Sequence, residues 1–473
     1  MTAPGRRAPD GRVLSAVMLG VASGAILVPL NSTMLAVALP GVMDSFTLGA
    51  NQVSSLVTLY LGAVAVAVSV GGSIGDRWGH RPTFLAGVIG FSIASALAAL
   101  ATSFEVLELA RVGQAVSGAL ISTSSAALVR ETTPRAQQGE AFGIFDLLVS
   151  TSAAIGPFIG GLLVGGFGWR SLFVVAVPLG LVSAGYVGLL LRPVPATGDV
   201  ARSVNGDTAP ARHAPAPIDV PGLVLLALAI TSFLVALRVG DGTVRLVAAG
   251  AVVPLLAAFV LVELGRDRPA VDPRLFLQRP FAAAVAGVFG TTVILHGCFI
   301  LVPLLVEKLH DETAATSGIV LLGIAGVSAI AAPFGGRASD RRGRRALAVA
   351  GGLVTAVGLG ALALPAGAAS SISVAALLCV VGLGLGIGGS PRQAAAFESI
   401  EPSRVGMAAG TYYTGRYLGG VVGASLAGSI LGAQVTVGGV ASGFTVLAAV
   451  GIGVAIVSLG LRGRKESTPE SRA

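Results

Sequence analysis

Among the ionisable side chains inside long apolar stretches, four stand out: Arg111, Asp146, His296 and Arg416. Such groups are expensive there and mark candidate chemistry. A carboxylate taken out of water holds its proton towards neutral pH, and an imidazole titrates there unaided. The two arginines keep their charge and suit anions or polar ligands. Arg111 follows Glu108 by three residues and precedes Gln114 by three, so the three share one helix face. A self-contained Glu108–Arg111 pair and a role for Arg111 in a cavity are both open on spacing alone. Arg416 has no nearby acid in the sequence. Tyr412, Tyr413 and Tyr417 surround it in the densest aromatic cluster of the chain, fit to stack on a ligand or to pack and hydrogen-bond. At ~100° per residue Asp146 returns to within ~20° of the face carrying Pro157. It is either a proton-exchanging carboxylate on an interior seam or an acid near a helix end paired with an Arg. His296 is the second proton candidate, weighed against a hydrogen-bonded packing role.

A second pattern is a decapeptide that occurs twice. Gly72, Asp76, Arg77, Gly79 and Arg81 recur as Gly336, Asp340, Arg341, Gly343 and Arg345, at a constant offset of 264 residues. Each copy is expected to form a tight turn between two apolar stretches. The glycines permit a sharp reversal and close helix approach, and the Asp is placed to cap a helix or pair with a base. A latch at Asp76–Arg77 and Asp340–Arg341 is set against charges that merely fix topology, the reading preferred for Arg342 and Arg344. An internal repeat of this kind implies two related halves.

The elements that must position these groups follow from composition. Of 473 residues 54% are hydrophobic and 11% charged, with mean hydropathy +0.86, which excludes an ordinary soluble domain. Stretches of about 20 apolar residues predict fourteen spans. They cover 14–37, 53–74, 82–102, 107–129, 141–165, 171–191 and 220–238 in the first part of the chain. The others cover 244–264, 281–305, 314–334, 346–365, 372–390, 405–432 and 441–461. With a cytoplasmic N-terminus, 25 of the 31 Lys and Arg lie inside and four outside, which supports fourteen spans with both termini in the cytoplasm. The net charge of +8 is then explained by anionic inner-leaflet lipid, without a nucleic-acid partner. Arg6, Arg7 and Arg12 precede an apolar stretch too long for a cleavable signal. Cys298 and Cys379 sit in apolar segments, so no disulfide framework is expected. The expected division is an N-terminal six-helix half (1–192), a cytoplasmic linker (193–219), an inserted helix pair (220–264), a C-terminal six-helix half (265–461) and a cytoplasmic tail (462–473).

The doubled Gly-x-x-x-Asp-Arg-x-Gly-x-Arg turn resembles the loop signature of the major facilitator superfamily. Fourteen spans with a central extra pair resemble its drug:proton antiporter-2 branch. Leu30-Asn31-Ser32-Thr33 with Val37-Ala38-Leu39-Pro40 resembles that branch's first-helix motif, and Arg111-Val-Gly-Gln114 with Gly118 its fourth-helix motif. Gly156-Pro157-Phe-Ile-Gly160-Gly161 resembles the fifth-helix motif of exporters. Trp169-Arg170-Ser-Leu-Phe173 with Pro178-Leu-Gly180 resembles the start of the sixth span, and Arg416-Tyr-Leu-Gly419-Gly420 the thirteenth span. The resemblance implies an all-α polytopic fold of two six-helix bundles plus an inserted hairpin. It further implies that Gly156, Pro157, Gly160 and Gly161 form a seam between halves and that Arg111 lines a cavity, with Gln114 on the same face; Asn31, Tyr412, Tyr413 and Arg416 are the other cavity candidates. One position departs: the family's first-helix motif has an aspartate, its proton carrier, where this chain has Asn31, which does not titrate.

No Walker-type phosphate loop is present, no Cys/His cluster has metal-ligand spacing, and neither a catalytic centre nor a cofactor is expected. The sequence reading is a monomeric multi-pass protein of a bacterial inner membrane. It exports a small amphipathic compound by alternating access, with protons moving the other way. The alternatives are a uniporter or uptake carrier for an anionic metabolite, and a lipid-handling or receptor-like protein that does not transport.

Overall fold

The structure, a computed structural model, describes residues 11–133, 138–190, 220–237, 242–266, 273–365, 368–398, 400 and 405–461. The linker 193–219 lies outside this set, as do the side chains of Asp76, Asp146 and Asp340. All regular structure among the described residues is helical. The long helices of the first part are α1 (Gly11–Met34), α2 (Ser55–Trp78), α3 (His80–Ala99), α4 (Phe104–Thr132), α5 (Gln138–Phe167) and α6 (Ser171–Leu190). They are followed by α7 (Val220–Leu237) and α8 (Gly242–Leu264). The last six are α9 (Arg279–Leu304), α10 (Ala314–Arg342), α11 (Arg344–Leu362), α12 (Ser371–Glu398), α13 (Val405–Leu431) and α14 (Val437–Ser458).

Among the described residues twelve helical segments are long and apolar enough to cross a membrane. The two long helices outside that group are α7, whose apolar part is the shorter Val224–Phe233, and α13. In α13 the apolar run is broken by Thr411, Thr414, Arg416 and several glycines. Helix starts on one side are fixed by hydroxyl caps: Ser103 accepts from the Val106 amide, Thr313 from Thr316 and Thr436 from Gly439. Each satisfies an amide that the first helical turn leaves unpaired.

Two expectations need correction. Several helices outrun their apolar cores, α10 ending at Arg342 and α12 at Glu398, because backbone hydrogen bonding continues after the side chains turn polar. For the same reason the repeated decapeptide is mostly helix, not loop. Gly72–Trp78 completes α2, and the reversal is confined to Gly79; in the second copy it is confined to Gly343. The first span is also longer than hydropathy suggests. α1 tightens into a 3₁₀ turn at Leu35–Ala38 and continues as a short helix, Leu39–Phe46, with Pro40 in its first turn, where its missing N–H is harmless.

The helix packing repeats. α1 packs on α4, α5 and α6, α2 on α4, and α3 on α4 and α6. Likewise α9 packs on α12, α13 and α14, α10 on α12, and α11 on α12 and α14. The two sets meet along two seams, α5 against α10 and α2 against α13. The hairpin α7–α8 sits beside them, α7 touching α2 and α13. An aromatic group at one end, Phe46, Phe104, Trp169 and Phe173, ties α1, α4 and α6 together. There the Trp169 indole donates to Ser45 Oγ at 2.9 Å.

Candidate functional site

Helices α1, α2, α3 and α4 converge on one buried polar group. Arg111 of α4 is 1% exposed, Asn31 of α1 4% and Gln114 fully buried. Arg111 Nη1 donates to Asn31 Oδ1 at 2.7 Å and to Gln114 Oε1 at 2.8 Å. Gln114 in turn donates through Nε2 to Ser95 Oγ of α3 at 2.8 Å. The guanidinium lies 4.1 Å from the centroid of the Tyr60 ring of α2, within cation–π range. The spacing of Arg111 and Gln114 holds, since both present one face of α4. Glu108 accepts a hydrogen bond from Ser55, and Arg111 finds its partners 80 residues away in Asn31 and one turn on in Gln114. Those partners are all neutral. Arg111 Nε and the Tyr60 hydroxyl are shielded yet have no protein hydrogen-bond partner. A buried cation with neutral neighbours and two free polar atoms can receive an anion or a polar ligand group.

The C-terminal set contributes differently. His296 of α9 hydrogen-bonds the Thr292 carbonyl through Nδ1 at 3.1 Å and meets Phe299 edge-on. It packs against Gly420 of α13, where an added Cβ would come within 3.0 Å of the ring. Arg416 is exposed along α13 and lies within electrostatic reach of His296 and Tyr417. Tyr417 is in turn within reach of Tyr60. Tyr412 is also within electrostatic reach of Arg416, and Tyr413 within reach of Tyr417. Tyr412 is buried between Phe397 (5.6 Å between centroids) and Tyr413 (5.8 Å), in an apolar cluster with Phe281 and Ala348.

The repeated turns have the same backbone. Gly79 has φ 93° and ψ 143°, and Gly343 has φ 89° and ψ 145°, a region open in practice to glycine alone. Arg81 donates to the Gly188 carbonyl of α6 at 2.8 Å, while Arg77, Arg341 and Arg345 are exposed. Arg344, expected to be a mere topology marker, pairs with Glu398 and joins α11 to α12.

Along the α5 seam the small residues face both ways. Gly156 lies against Thr33 and the Leu30 carbonyl, and Gly160 against Met34 and Val37, all on the first helix and its extension. Gly161 lies against the backbone of Ala314 and Ala315 in α10, whose Gly318 lies against Pro157 and Phe158. The motif thus lets α5 approach α1 and α10 at backbone distance. At the end where α1 and α9 finish, Lys308 donates to Asp44 across the two sets. Between α2, α4 and α7 lies a cavity of about 450 Å³, lined by Leu59, Ala63, Val66, Val116, Ile230 and Thr231 among others.

Tyr60, Ser95 and the Asp44–Lys308 pair escape sequence reading, although one signal existed: Asp44 and Lys308 are 264 residues apart, the offset of the repeat.

A sequence model of the Major Facilitator Superfamily matches residues 21–424 and, separately, 288–473. The chain belongs to this superfamily. It is 31% identical over 427 residues to the tetracenomycin C resistance and export protein of Streptomyces glaucescens, covering 88% of this chain and 76% of that one. It is 28% identical over 427 residues to the multidrug resistance protein Stp of Mycobacterium tuberculosis, covering 88% and 75%. The riboflavin transporter RibZ of Clostridioides difficile is 24% identical over 422 residues, covering 89% of each. In fold the chain is similar to the crystal structure of a D-xylose-proton symporter, at TM-score 0.63 and 12% identity, covering 97% of this chain and 98% of that one. As a superfamily member it is a multi-pass membrane transporter, not an enzyme.

Proposed function

We propose that this facilitator is a secondary exporter of small amphipathic molecules, working as a monomer in the bacterial inner membrane. Residues 1–192 and 265–461 act as two rocking halves, 220–264 as an inserted hairpin, and 193–219 and 462–473 as cytoplasmic segments, with fourteen spans and both termini inside. The observation that carries this reading is the buried Asn31–Tyr60–Arg111–Gln114 group, flanked by helices that meet the other half along two glycine-rich seams. Rocking about those seams exposes a central site to one side of the membrane at a time. Relatives named for tetracenomycin C export and multidrug resistance support an outward direction and an amphipathic cargo. Transport is driven by proton antiport, with Asp146 and His296 as candidate carriers because Asn31 does not titrate. The repeated turns at Asp76–Arg81 and Asp340–Arg345 gate the cytoplasmic side, and the Gly156–Gly161 seam limits leak.

One observation favours a second reading. The neutral surroundings of Arg111 suit a substrate with a carboxylate or ionised phenol, and an anionic cargo need not be moved by protons. Counterflow in vesicles separates the two. Export of the cation ethidium that collapses with the pH gradient supports the first reading. Transport of benzoate or salicylate that competes with nothing cationic supports the second.

A further inference from the structure

We infer that Glu307 is the proton-binding carboxylate of an outer gate: a proton taken up there holds the two halves closed on the side the charge pattern assigns to the outside. The inference goes beyond the export reading and rests only on alternating access. Helix α9 does not end as an α-helix. It widens into a π turn at Leu305–Leu309, a local distortion often met at functional sites. Within that turn Glu307 and Lys308 play opposite parts. Lys308 reaches across to Asp44 of the other half, its counterpart at the repeat offset of 264 residues. Glu307 Oε1 is shielded from solvent and has no protein hydrogen-bond partner. Beside it is the fully buried Ser317 Oγ of α10, close enough to act on the carboxylate as a hydrogen-bond donor.

An ionised carboxylate in this place is a charge in a shielded spot that Ser317 and Lys308 offset only in part, and it competes with Asp44 for Lys308. A proton removes both conflicts. The neutral carboxyl tolerates burial and can bond to Ser317, and Lys308 stays on Asp44. Losing the proton favours hydration of Glu307 and parting of the halves. The charged groups that face it are few. Lys308 is on its own turn and Asp44 on the short helix Leu39–Phe46. α10 brings Ser317 and has no titratable residue in its outer half, and α14, packed on the same turn, has none at all. His310 and Glu312 are engaged with Ser371 of α12, and Asp311 is exposed.

The test is the distance across the outer face as pH varies. Spin labels go at Thr102 and Ser370, exposed residues of the two halves, in full-length protein with Cys298→Ala and Cys379→Ala, reconstituted in liposomes without substrate. The expected result is a short distance at acid pH and a long one at alkaline pH. Glu307→Gln should remain short throughout, while Glu307→Asp, a milder change that guards against misfolding, should keep a transition displaced in pH. A wild-type distance indifferent to pH, or a Glu307→Gln or Glu307→Asp curve that overlays the wild type, would overturn the proposal. The readout needs no transport, so failure of the export reading leaves it standing and is recognised separately.

Discussion

Arg111 Nη1 donates to Asn31 Oδ1 at 2.7 Å, joining α4 to α1 across 80 residues of sequence. Where the resemblance expects a carboxylate beside this arginine, the chain presents a neutral amide. The contact survives the exchange because an amide oxygen accepts as a carboxylate does, but the charge balance does not. The guanidinium is left with Gln114, the Tyr60 ring and, among the described residues, no acid that bonds to it.

Replacing that amide tests the arrangement. Asn31→Leu strips a hydrogen bond from a buried cation and should lower stability by about 1.5–3 kcal/mol, seen as a lower unfolding midpoint in detergent. Asn31→Asp supplies a paired carboxylate and should unfold at or above the wild-type midpoint. It should also make export more sensitive to pH, since it adds a titratable group at the centre.

Arg111→Lys keeps the charge and loses the fork. One ammonium cannot reproduce a planar donor that bridges Asn31 and Gln114 while stacking on Tyr60. Export should fall about tenfold, equivalent to roughly 1.4 kcal/mol, with protein levels in the membrane unchanged.

The seam makes a steric prediction. A Cβ on Gly161 would come within 2.5 Å of the Ala314 carbonyl oxygen, and one on Gly318 within 2.4 Å of that of Pro157. Gly161→Leu and Gly318→Leu should each cost about 1–3 kcal/mol through overpacking and abolish transport. Gly166→Leu on the same helix meets nothing within 4 Å and should be neutral, which a thermal-shift series would check.

The twin turns should respond as twins. Gly79 and Gly343 hold almost the same backbone angles, so Gly79→Ala and Gly343→Ala should each destabilise by about 1–3 kcal/mol. Measured by unfolding in detergent, a large loss at one and none at the other would show that the repeat is not conformational.

The helical architecture was legible because hydropathy and arginine placement are additive signals that need no knowledge of contacts. The α5 seam was legible because glycine spacing is itself the packing code. Pairing was not legible. Glu108 is the acid nearest Arg111 in sequence, yet Ser55 engages it, and the true partner stands on another helix. Nothing in the string marks Tyr60 as the ring beneath Arg111. The π turn that leaves Glu307 half-buried is a backbone distortion with no sequence signature. The repeated decapeptide reads as a loop because hydropathy stops at its charges, whereas the helix runs on to Gly79.

The most direct measurement of the central claim is accumulation of ethidium in inverted membrane vesicles carrying the full-length protein, with and without an imposed pH gradient. Accumulation should require the protein, collapse when the gradient is dissipated and fall about tenfold in Arg111→Lys. Gradient-dependent accumulation that is unchanged in Arg111→Lys, or no accumulation in vesicles shown to hold folded protein, would contradict it.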